Sequence, residues 1–101
     1  MRQSPPAWRH SIVVWCGLDR EREVARNAVA GAMKALYKLD YDDFARWCPA
    51  GPPEEIAEFV TPYLDAGARD VSLIARGRSL HETIAQAGEV RRLLLRAKSA
   101  N

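Results

Sequence analysis

Two short apolar runs, SIVVWC at residues 11–16 and DVSLIA at residues 70–75, constrain this chain more than any other feature. Neither alternates apolar with polar residues, as a half-solvated strand does. Both read as strands covered on two faces, the pattern of a parallel sheet. Parallel strands need a long crossover between them, and helical periodicity fills the interval. Two such strands joined by a crossover should be parallel and connected in the right-handed sense. Their outer edges stay open, so the remaining strands of such a sheet are expected outside this chain.

The helices announce themselves by spacing. From Arg20 to about Leu39, the residues Val24, Ala25, Ala28, Val29, Ala32, Met33, Leu36 and Tyr37 fall on one stripe, with Asp19 as the expected cap. Arg20, Arg22, Arg26 and Lys34 lie off that stripe and should face water. Gly31 weakens the interior of this helix, which close packing against a neighbour would explain. Asp40 should cap a short helix carrying Phe44 and Trp47, ended by Pro49, with Gly51 and Pro52 in a turn. Pro53, Glu54 and Glu55 open the next helix, Ile56, Phe59, Val60, Tyr63 and Leu64 line it, and Gly67 closes it. Pro62 inside it predicts a kink. Ser79 and Glu82 form a capping box for a last helix, Leu80 to Lys98, with an apolar stripe of Leu80, Ile84, Ala87, Val90, Leu94 and Ala97. Residues 1–10, with Pro5 and Pro6, read as an irregular lead-in, and residues 99–101 as a tail. The order is β-α-α-α-β-α in one domain spanning 11–98.

Bulk properties exclude several classes. Apolar residues make up 48% and charged residues 28% of the chain, with a net charge of +2, so no nucleic-acid partner is implied. The longest apolar run, SIVVWCGL, falls far short of the ~20 residues of a membrane span, and the first residues carry no signal-peptide pattern. Cys16 and Cys48 are isolated from each other and from His10 and His81, so no metal site is indicated. Two reduced, buried thiols in a cytoplasmic protein are expected.

A strand with an acid-led helix, VVWCGLDREREVARNAVAGAMKALYK, carries EVAR at Glu23 to Arg26. A G-x-P-E-E-I-A segment follows at Gly51 to Ala57, and an Ala66–Gly67 turn leads into the second strand. In this order the segments resemble the C-terminal end of the luciferase-like flavin-dependent oxidoreductases and monooxygenases, over about residues 11–97. The resemblance implies the last two strands of a TIM (β/α)8 barrel, with FMN or a deazaflavin as cofactor of the complete enzyme. A whole barrel takes about 250 residues, so most of the cofactor site would lie outside this chain. Little or no flavin binding is therefore expected of the chain alone.

Strand carboxyl ends hold the active sites of such barrels. Here Arg76, Gly77, Arg78 and Ser79 join a glycine turn, two guanidinium groups and a helix N-terminus, an arrangement suited to an anionic substrate or cofactor tail. Trp15 is a candidate aromatic wall beside a flavin, or a core residue. No catalytic residue can be named. Partners are expected to be a second copy of the chain or a chain that completes the barrel. The alternative function is a small assembly or binding module, derived from that family, that pairs through its open sheet edge and helix faces.

Overall fold

The structure, a computed structural model, describes residues 11–100, with side chains through Ala97. The expected lead-in at 1–10 lies outside the described residues. Strand β1 spans Ser11–Leu18, helix α1 Arg22–Tyr37, strand β2 Ala50–Gly51, helix α2 Pro53–Asp65, strand β3 Asp70–Gly77 and helix α3 Leu80–Ala100. Two 3-10 turns, Tyr41–Asp43 and Ala45–Trp47, fill the interval before β2. The last helix thus continues into the stretch expected to be a tail.

The sheet is parallel throughout, in the order β2-β1-β3. β1 and β3 pair along their whole length, from Ser11 opposite Asp70 to Leu18 opposite Gly77. β2 was not foreseen. It pairs only Ala50 with Gly17 and Gly51 with Leu18, where a turn was expected, because residues flanking Pro49 and Pro52 satisfy the end of β1. The Gly17 N–H donates to the Pro49 carbonyl and the Asp19 N–H to the Gly51 carbonyl.

Alternation along β1 feeds two cores. Val14, Cys16 and Leu18 join Ile56, Ala57, Val60 and Val90 of α2 and α3. Trp15 packs on the opposite side, against Val29 and Met33 of α1 with Tyr41 and Cys48. The helices therefore cover both faces of the sheet, as in a doubly wound sheet, whose strand order reverses direction at β1. A barrel wall differs on both counts. Its strands neighbour one another in chain order, and its helices all lie on one face.

Several local expectations need correction. Asp19 does not cap α1; the residue before the helix is Glu21, whose N–H donates to Asp19 Oδ2 at 2.8 Å. Gly31 is exposed, and a Cβ there would meet nothing within 4 Å, so close packing does not explain it. Leu36 and Tyr37 end α1 exposed, at 56% and 54%, although the Tyr37 ring still meets Trp15 of β1. Arg20, Arg22 and Arg26 face water yet each holds a carboxylate. Asp40 does cap the first 3-10 turn, and Pro53 opens α2 with Gly67 following its end at φ 113°. Cys16 and Cys48 are both buried free thiols. No described helix is long and apolar enough to cross a membrane.

Candidate functional site

The crevice between the carboxyl ends of β1 and β3 is where the two strands send their following loops to opposite faces. Ligands of doubly wound sheets bind at such a point. In this protein the crevice is bolted from inside. Asp19, 3% exposed, accepts from Arg78 Nε and Nη2 at 3.2 Å each, and from the Glu21 N–H. The Arg78 guanidinium holds the Asp19 carboxyl below the usual carboxylate range, against the opposing effect of its burial. Arg78 lies also 3.5 Å from Glu21 and 3.9 Å from Glu82. A charge-assisted fork on a desolvated carboxylate is among the stronger polar contacts a protein makes.

The neighbouring arginines are committed as well. Arg20 binds Glu54 at the start of α2 and, at 2.7 Å, Glu89 of α3. Arg22 pairs with Glu55. Together they tie the loop after β1 and the start of α1 to both helices on the far face.

The residues singled out from sequence do not converge on one ligand. Arg76 points to the α1 face, its guanidinium 5.6 Å from the centre of the Trp15 ring. It has no acidic partner among the described residues and donates to the Ala75 carbonyl at 3.2 Å. Trp15 also meets Tyr37 edge-on at 5.5 Å, so its ring is a packing element. Arg78 is occupied by Asp19. A Cβ at Gly77 would collide with the Leu18 carbonyl and Thr83 Oγ1, so this glycine serves the close approach of β3 to its neighbours. Ser79 Oγ accepts from the Glu82 N–H at 3.2 Å, and Thr83 Oγ1 donates to the Ser79 carbonyl at 2.6 Å. The cap is as expected, but Glu82 turns toward Arg78. An open cleft of about 260 Å³ runs past Ala75, Arg76, Gly77, Ser79, Leu80 and Thr83. Of the four turn residues only Arg76 retains a charge without an acidic partner for an anion, so the turn fits a flavin phosphate poorly.

Sequence reading missed two features. Asp19 was read as a helix cap, whereas it is the anchor of Arg78; only its pairing across 59 residues reveals that. The other is the outer flank of β3. Val71, Leu73 and Ala75 face α3 but stay half-buried, while Val14 and Cys16, the β1 partners of Leu73 and Ala75, are buried. Beside them a cleft of about 320 Å³ is lined by Val71, Leu73, Ala87, Arg91, Leu94 and Leu95 among others. Leu80, Ile84 and Leu95 of α3 are 77%, 62% and 49% exposed. Compared with models of protein families, with curated proteins and with solved structures, the chain matches none.

Proposed function

We propose that this chain is an assembly module, which completes its sheet and helix layer against another polypeptide through the outer edge of β3. One observation carries the reading: among the described residues β3 runs for eight residues with a partner on one side only, and the apolar side chains facing α3 are left half-covered. Such an edge offers unpaired N–H and C=O groups to another strand. β3 carries no proline or lysine to blunt it. The buried thiols fit a reducing compartment. Size exclusion with light scattering, combined with melting at low and high concentration, tests this. An oligomer whose melting temperature rises with concentration is expected; a monomer melting independently of concentration overturns the reading.

A second reading, the C-terminal part of a luciferase-like oxidoreductase barrel, keeps one specific support. Arg76 over Trp15, at a strand carboxyl end beside an open cleft, could hold the anionic tail of FMN or a deazaflavin. Helices on both faces of the sheet stand against it. Titration of the chain against FMN and a deazaflavin, followed by cofactor fluorescence, separates the readings. Stoichiometric binding abolished by Arg76→Ala would favour the oxidoreductase; no binding is expected.

A further inference from the structure

Resting on the assembly reading, we propose that the partner is a second copy of this chain, paired antiparallel along β3 about a two-fold axis at Leu73. The strand is complementary to its own reversal. Centred on Leu73, the reversed copy sets Asp70 opposite the partner's Arg76 at both ends, with Val71 opposite Ala75 and Ser72 opposite Ile74. In each pair both members share a face, so the α3 side of one sheet continues into the α3 side of the other. Asp70 and Arg76 are exposed, and neither forms an ion pair within the described chain: Asp70 accepts only from Ser11 Oγ, and Arg76 lies over Trp15. Within Asp70–Gly77, reversal at any other spacing loses this double match of opposite charges or sets apolar faces against polar ones.

The helix layer obeys the same symmetry. Leu80, Ile84 and Leu95 lie on the flank of α3 away from α2, since Glu89, on the other flank, reaches Arg20 beside Glu54. Arg91 and Leu95 line one cleft with Val71 and Leu73, and Leu80 lines another with Ala75 and Gly77, so this flank follows the open edge of β3. A two-fold axis at Leu73 brings the amino end of one α3 beside the carboxyl end of the other. Leu80 and Ile84 then cover Leu95 of the partner copy and close both clefts. The result is a six-stranded sheet with an isologous interface.

Charge exchange tests the register in the full chain. Asp70→Arg and Arg76→Asp each set like charges opposite one another twice, and each variant alone should dimerise at least about tenfold more weakly than the native chain. An equimolar mixture restores both opposite-charge pairs and should form a heterodimer of native affinity; sedimentation velocity reads all four samples. Native-like folding of each variant is checked by circular dichroism. If the native chain, both variants and the mixture associate equally, this edge and register are wrong while assembly stands. A native chain that stays monomeric at every concentration removes the assembly reading and this proposal together. Variants that weaken without rescue in the mixture also overturn the proposed register.

Discussion

Asp19 and Arg78 sit on loops that leave neighbouring strands toward opposite faces of the sheet, and two hydrogen bonds of 3.2 Å join them. The contact closes the crevice that a doubly wound sheet opens at that point. Each partner has a different stake. The carboxylate is 4% exposed and depends on its donors, whereas the guanidinium side chain is 47% exposed and can return to water.

Removal of Arg78 should therefore hurt more than its exposure suggests. Arg78→Ala leaves a desolvated carboxylate with the Glu21 N–H as its remaining named donor. Thermal melting should fall by several degrees, and Asp19→Asn/Arg78→Ala should recover part of the loss. A double variant no better than the single one would show that the pair is not coupled.

Acid should find the same contact. The folded Asp19 carboxyl titrates below its ordinary value, so its contribution is present above the unfolded pKa of about 3.9 and is lost as pH falls through the lower folded value. Denaturant midpoints measured from neutral pH downward should drop in that window, and Asp19→Asn should flatten the drop.

Two glycines, one in α1 and one in β1, should respond oppositely to alanine. Gly31 lies inside α1 with open space around it, so Gly31→Ala should stabilise by about 0.5–1 kcal/mol. At Gly17 a new Cβ would strike the Ala25 carbonyl and crowd Val29, so Gly17→Ala should cost about 1–3 kcal/mol through overpacking between β1 and α1. Urea unfolding of both variants decides.

The thiols should be silent until the chain opens. Burial pushes the Cys16 thiol up to about 12, with a smaller contribution from Cys48, and burial likewise raises Cys48. A thiol reagent at pH 8 should label neither in the native protein and both in denaturant. Because the folded pKa is raised, stability should begin to fall as pH rises above the unfolded value of about 8.5.

The strands and helices were legible because their signals are local. SIVVWC and DVSLIA carried parallel strands in their composition, although of the two only β1 has buried residues and every residue of β3 stays half-buried or exposed. Pro53, Gly67 and Ser79 marked helix ends by their own backbone preferences. β2 was not legible, since two residues beside prolines acquire strand geometry only from the end of β1. Strand order was equally hidden: nothing local distinguishes a barrel wall from a sheet covered on both faces. Of the candidate site, the turn at Arg76 to Ser79 was found, but the fate of its arginines was not. Asp19 claims Arg78 and Trp15 underlies Arg76, both contacts between segments about sixty residues apart.

The alternation along β1 has a consequence for how the molecule comes apart. Trp15 belongs to the layer under α1, and its neighbours Val14 and Cys16 belong to the layer under α2 and α3. Both layers hang on the same few peptide units, so neither can lose its order while the other keeps a flat strand to rest on. Amide protons of β1 should exchange together and last, and the two halves of the interior should melt as one cooperative unit.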